Sequence, residues 1–407
     1  MTTVDEIRAQ FPQLECKVYG KPLVYLDNAA TSLRPRSVIE KWDKMSSTLS
    51  SNLHRAVHAT ANRATEEFES ARTAAAAFIG AESEKEIVFT SGATQSLNLL
   101  AFCLGEMPGF LAPGDEILVG EAEHHSNILP WQFLAKRKGL IIKVLPVNYK
   151  GVLQTEILSG LVTPRTRIAV FAHVSNVLGI INPVKDICSF CREKGILTVV
   201  DGAQGVVHCP VDVKALGCDF YAFSGHKLYA APGTGILWGR KDLLDAMPPY
   251  MGGGEMIDTV KWEGSTFAPV PHKFEAGTQN MAGVPTLNEA FEIAVKMHEC
   301  AETEKVKNYL LQALPAIPGL RIFGVPDNPA DKIPLFSFAV EGAHHEDLAL
   351  ILDKMGIAVR SGQMCAEPLM DRYCVTGMLR ASFAPYNTMQ EAEYFVNCLN
   401  KAIDMLR

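Results

Sequence analysis

Seven short apolar, β-branched runs alternate with helix-like stretches through the middle of the chain, and this alternation constrains the fold more than any other feature. The runs are EIVFT (86–90), EILVG (116–120), IIKVLPV (141–147), RIAVFAHV (167–174), ILTVVD (196–201), DFYAFSG (219–225) and GILWG (235–239). Between them lie patterns of helical period such as ATQSLNLLAFCLG and VKDICSFCREKG. Strands covered on both faces read as continuous apolar runs, and strand–helix alternation builds a mainly parallel sheet. The predicted fold is therefore α/β. Beyond about residue 290 the pattern changes to a long helical stretch, PTLNEAFEIAVKMHECAETEKVKNYLLQAL, then to strand-like LFSFAV and GIAVRSG. A smaller α+β domain is expected there, with residues 25–290 as the large domain and 1–24 joining 291–407 in the small one.

Composition excludes several function classes. The formal net charge of -7 and the absence of a Lys/Arg-rich block leave no basic field for nucleic acid. No apolar run approaches the roughly 20 residues that span a bilayer, so no membrane is expected as a partner. The start, MTTVDEIRAQFPQL, reads as a short amphipathic helix with Thr3 and Glu6 at capping-box spacing rather than as a signal peptide. Ten cysteines scattered without an export signal point to a reduced, cytoplasmic protein rather than a disulfide framework. Cys188 and Cys191 have metal-binding or redox spacing, but they share one face of a predicted amphipathic helix and no second pair exists. Packing is the expected role, and no metal site is expected.

Ligands of parallel sheets bind beyond the carboxyl ends of the strands, so the residues after each run carry the chemistry. In order these are Thr90 to Thr94, Glu123 to Asn127, His173 to Asn176, Asp201 to Gln204, and Ser224 to Lys227. The turn TSGATQ opens a helix, where free N–H groups and the helix dipole favour a phosphate; helix capping by Thr94 is the plainer reading. Lys227 interrupts two segments that read as buried strands. An ammonium there is costly unless its charge is lost, which makes Lys227 a candidate nucleophile. Asp201 ends a buried strand and calls for a cation. A lysine for a Schiff base, an aspartate for a pyridinium nitrogen and a phosphate-binding helix start are together what a protein supplies to pyridoxal 5'-phosphate (PLP). Gly225, Ala230 and Ala231 are expected to leave room for that cofactor. His124 follows a strand end directly, where an imidazole can stack on a ring and move protons near neutral pH. Gln204 can donate to the phenolic oxygen.

A second candidate region is AVRSGQMCAEPLM (358–370), with Cys365 in a loop and Arg360 near enough in sequence to favour a thiolate. Arg380 offers a fork suited to a carboxylate.

With these residues in view the chain resembles the cysteine desulfurases, PLP enzymes of the aminotransferase class V family with fold type I, and most closely the group II (Suf-type) branch. The resemblance is carried by YLDNAAT (25–31), NLHRAVH (52–58), EHHSNILPW (123–131), HVSNVLG (173–179), VDGAQ (200–204), DFYAFSGHKLY (219–229), FEAGTQN (274–280), RSGQMCAEPLM (360–370) and LRASFAPYNT (379–388). It implies that Lys227 carries the cofactor, Asp201 faces the pyridine nitrogen, Gln204 the phenolic oxygen and His124 the ring. Thr94, Ser224 and His226 would bind the phosphate, joined by Thr278 of the partner subunit in a homodimer. Asn176 and Arg380 would hold the substrate carboxylate, with Arg55 and Arg360 nearby, and Cys365 would be the nucleophile.

The implied reaction converts L-cysteine to alanine and leaves a persulfide on Cys365, whose sulfur a scaffold protein accepts for iron–sulfur cluster assembly. Two departures from common versions of the pattern stand out. Ala93 occupies a phosphate-site position where many relatives have threonine, and Met364 precedes the nucleophile where histidine is frequent. Selenocysteine lyase or cysteine-sulfinate desulfinase is the alternative using the same machinery. A catalytically weak PLP-binding partner protein, or a PLP lyase or aminotransferase with a structural Cys365, are readings of other kinds.

Overall fold

The computed structural model describes residues 3–54 and 57–407. All seven predicted runs are strands: β1 (Ile87–Thr90), β2 (Glu116–Gly120), β3 (Ile141–Leu145), β4 (Thr166–Ala172), β5 (Leu197–Asp201), β6 (Phe220–Ser224) and β7 (Gly235–Gly239). They form one sheet in the order β1-β7-β6-β5-β4-β2-β3. The neighbours from β6 to β3 run parallel, and β7 lies antiparallel to both β1 and β6.

Alternate residues of the central strands enter different cores, although their runs are largely apolar. Val88, Val199, Ala222 and Leu237 pack under Leu97 and Leu100 of helix α1 (Ala93–Glu106) and under Trp131. Phe89, Val200, Phe223 and Ile236 pack on the other side with Phe68 and Ile187. Fully burying each such side chain stabilises the fold by roughly 1.5–3 kcal/mol, so coverage on both faces fixes this as the central layer.

The C-terminal part of the chain holds a four-stranded sheet of β8 (Leu320–Phe323), β9 (Leu335–Val340), β10 (Arg360–Gly362) and β11 (Met378–Ser382), ordered β8-β9-β11-β10. Two expectations change here. GIAVRSG is not one strand: Ile357–Ala358 pairs in parallel with Val24–Tyr25, while Arg360 to Gly362 pairs with β11. The long helical stretch is also two helices, α2 (Thr286–His298) and α3 (Ala301–Ala313), broken at Cys300, whose extended backbone caps α3. Helix α2 packs on Arg36–Thr48 and Ala59–Phe78, and α3 on the C-terminal helix Met389–Leu406.

The N-terminal helix spans Val4–Arg8 with both halves of the Thr3–Glu6 capping box formed. Cys188 and Cys191 are buried in helix Val184–Glu193, where burial pushes both thiols up to about 12, as befits packing residues. All ten cysteines are free. Among the described residues no helix is long and apolar enough to cross a membrane.

Candidate active site

The carboxyl ends of β1, β4, β5 and β6 converge on a cavity of about 270 Å³. Gly235 starts β7 in register with both Thr90 and Ser224, so the antiparallel strand begins at this same edge. A Cβ at Gly235 would stand 2.3 Å from Cα of Gly92; this close approach brings the first turn of α1 against Ser224. Thr94, Ser224, His226, Lys227, Asp201, His124, Asn176, Arg360, Cys365 and Arg380 line the cavity, together with Ala93 and Met364.

The helix start is built as an anion cradle. Gly92, not Thr94, is the N-cap, and it supplies no side-chain cap. The Ala93 N–H donates to Ser224 Oγ at 2.8 Å, and the Thr94 hydroxyl meets Ser126 Oγ at 2.7 Å. Among the described residues the amides of Thr94 and Gln95 have no hydrogen-bond partner. Ala93 therefore contributes its backbone rather than a hydroxyl. His226 stands beside Thr31, 3.2 Å from Nδ1 to Oγ1, and burial with the Lys227 charge pushes its imidazole down to about 4.

Lys227 faces the cavity and is otherwise enclosed by protein. Burial holds its ammonium below the usual lysine range, with Arg380 adding to the effect and Asp201 opposing it. Asp201 accepts one hydrogen bond on Oδ1, from the Ala203 N–H at 2.9 Å, and burial raises its carboxyl against the pull of Lys227. A buried acid with one hydrogen bond has room for a cationic donor. His124 accepts the Ser126 N–H on Nδ1 at 3.1 Å, which places the neutral ring's proton on Nε2. Burial, then Lys227, His125 and Arg380, push this imidazole down to about 4. It is thus neutral at physiological pH, below the near-neutral titration expected of it.

The opposite wall comes from the C-terminal segment 360–380. Cys365 is exposed in the loop after β10, and it and Met364 both have φ of 55°, in the left-handed region. The loop is fastened through its backbone: Asn176 Nδ2 donates to Met364 O at 2.9 Å, and the His125 N–H donates to Cys365 O at 2.8 Å. Arg380, 2% exposed, donates to Asn176 O at 2.8 Å and to Asp27 Oδ1 at 3.2 Å, while its Nε has no partner. Arg360 chelates the same Asp27 carboxylate, with Nη2 at 2.9 Å from Oδ2.

Some expected residues lie elsewhere. Gln204 is buried outside the lining and donates to Ala29 O at 2.8 Å. Thr278, expected to serve the site of the partner subunit rather than its own, is exposed and does not line this cavity. Arg55 falls outside the described residues. Gly225, Ala230 and Ala231 do not line the cavity either; a Cβ on Gly225 would meet Thr234 Oγ1 at 2.2 Å, so small residues are needed for the turn to pack on protein.

Glu123 and Ser126 stand in the strand-end stretch singled out from the sequence, and Asp27 in YLDNAAT, but none of the three is given a role there. Nothing local marks Asp27 as the counter-ion of arginines more than 330 positions away. Glu123 lies buried between the Asn127 amide and the Ala172 N–H, and burial, with Asp201 adding, pushes its carboxyl up to about 8.

The residues present fit PLP: a lysine with lowered basicity, a buried acid short of partners and an anion cradle share one cavity. The aminotransferase class-V family matches residues 24–395. A probable cysteine desulfurase of Vibrio cholerae serotype O1 is 43% identical, with 100% of each chain covered. One from Xylella fastidiosa is 45% identical over 99% of this chain and 96% of its own. The crystal structure of the cysteine desulfurase CsdA (S-sulfonic acid) from Escherichia coli superposes with a TM-score of 0.91 at 40% identity and full coverage of both chains. The apo cysteine desulfurase of Thermococcus onnurineus NA1 gives 0.91 at 34% identity, covering 97% of this chain and 99% of that one. With a family match across nearly the whole chain and relatives above 40% identity end to end, this chain belongs to the aminotransferase class-V family.

Proposed function

We propose that this chain is a PLP-dependent cysteine desulfurase, converting L-cysteine to L-alanine with transfer of sulfur to Cys365. The observation that carries the reading is one cavity lined by Lys227, Asp201, Arg380 and an exposed Cys365. PLP, when bound, supplies a sink for the electron pair that develops at the substrate Cα. Lys227 would hold it, Asp201 would face its ring nitrogen, His124 its ring, Gln204 its phenolic oxygen, and Thr94, Ser224 and His226 its phosphate, with Thr278 of the partner subunit completing the site in a homodimer.

Arg380 orients the substrate through its carboxylate, using a fork already aligned by Asn176 and Asp27. Arg360 stands behind that clamp. Lys227 accepts the Cα proton in its neutral form, which its lowered basicity favours. The Cys365 thiolate attacks the substrate sulfur: an S–S bond forms, the Cβ–S bond breaks, and Cβ takes the electron pair and a proton to become the methyl of alanine. His124, neutral with its proton on Nε2, is placed to pass that proton. The persulfide then passes its sulfur to a scaffold protein of the Suf type for iron–sulfur cluster assembly. Residues 25–290 carry the cofactor side of this division of labour, and 1–24 with 291–407 carry the cysteine loop.

The test is direct. After L-cysteine and removal of small thiols, peptide mass analysis should find one extra sulfur on Cys365, released by reductant. Extra sulfur on another cysteine, or on none, contradicts the assignment.

A further inference from the structure

A second cavity, of about 180 Å³, lies where α2 and α3 meet the segment 330–334 and shares no lining residue with the active site. Two lysines line it, Lys307 at 3% exposure and Lys332 at 1%. Lys307 pairs with Glu304 at 2.8 Å, and that glutamate side chain is 64% exposed. Lys332 has no carboxylate partner among the described residues; its ammonium donates to Leu178 O at 2.6 Å and sits 5.1 Å from the centre of the Phe336 ring. Thr303 adds a hydroxyl that is shut off from solvent and has no hydrogen-bond partner. His208 and His298, both half-buried, also line it.

Donors outnumber acceptors on the wall, and the Glu304 carboxylate that also lines it is already paired with Lys307. Burying an ammonium without a counter-ion is costly, and a carbonyl and a ring face offset only part of that cost. Burial and the neighbouring Lys307 push Lys332 down to about 7, as expected of two cations held close without enough negative charge between them. At about 180 Å³ the cavity is smaller than the active-site cavity of about 270 Å³, and its size and donor lining suit a small ion.

We propose that this cavity binds one small tetrahedral oxyanion, of the phosphate or sulfate class, between Lys307, Lys332 and Thr303. The site would brace the active-site wall from behind. Ile181 N–H bonds Asp331 O at 2.8 Å and Ile333 N–H bonds Gly179 O at 2.9 Å, so the segment carrying Lys332 is stitched to the loop that holds Asn176 against Arg380.

Titration calorimetry of the full-length, PLP-loaded protein with inorganic phosphate, with sulfate, and with chloride at matched ionic strength tests this. One saturable oxyanion per chain is expected, with no matching chloride signal. Lys332→Met should weaken it at least about tenfold, the loss of one charge-assisted contact. Thr303→Val should weaken it less, and Glu304→Gln, at an exposed position, should tighten it by removing a like charge. If Lys332→Met fails to fold, the opposite signs of Thr303→Val and Glu304→Gln decide the matter. No saturable binding by the wild type, or equal affinity in all these variants, overturns the proposal.

Discussion

Asp27 Oδ1 lies 3.2 Å from Nη2 of Arg380, and the same carboxylate is chelated by Arg360. The pairing sets the direction of the Arg380 fork before substrate arrives, and burial with a second cation nearby still pushes that guanidinium down to about 10. Lysine cannot reproduce two aligned N–H bonds, so Arg380→Lys should raise KM for L-cysteine at least about tenfold with a smaller change in kcat. Steady-state alanine release measures both. An unchanged KM would remove Arg380 from substrate binding.

Lys227 is the group assigned to the Cα proton. Lys227→Ala should lower turnover by at least about 100-fold, the low end of what a positioned base contributes. Because its Nζ has no hydrogen-bond partner among the described residues, the far-UV circular dichroism should match the wild type. Added small amines restoring part of the rate would support a proton-transfer role.

Arg72 and Glu275 form a buried pair, Nη1 to Oε1 at 2.6 Å and Nη2 to Oε2 at 2.9 Å. Glu275 also accepts the Phe89 N–H at 2.7 Å, tying the segment of Thr278 to β1. Removing one partner leaves an uncompensated buried charge, so Arg72→Met should cost about 3–5 kcal/mol in denaturant unfolding. The double variant Arg72→Met with Glu275→Gln should recover part of that loss.

Burial pushes His173 down to about 4, where it contacts the Tyr221 hydroxyl at 2.9 Å. Unfolded, the ring takes a proton near 6.5; folded, it stays neutral until far lower pH. The stability it contributes is whole above pH 6.5 and drains away as pH falls towards 4. From this residue the loss between pH 8 and 5 should be about 2 kcal/mol. His173→Gln should lose correspondingly less over the same window, read from denaturant midpoints.

What the sequence disclosed follows from how local each signal is. The seven strands and the residues at their ends were legible because continuous apolar runs and polar breaks are local patterns, and Ser224, Lys227 and Asp201 each end or follow such a run. The break at Cys300 was not legible, since the apolar period continues across it and only the change of packing partner separates α2 from α3. The role of Asp27 was hidden for a related reason: its partners come from β10 and β11, and only the tertiary fold brings them together. Local pattern raised Cys365 as a thiolate candidate and Arg380 as a carboxylate fork, and the resemblance implied the nucleophile and the substrate clamp.

The most direct test is alanine release from L-cysteine, with thiol reductant present, by PLP-loaded wild type and Cys365→Ala side by side. Release by the wild type with near-complete loss in Cys365→Ala is the predicted result. Equal release by both would contradict the account, leaving Lys227 chemistry in place and Cys365 without a part in it.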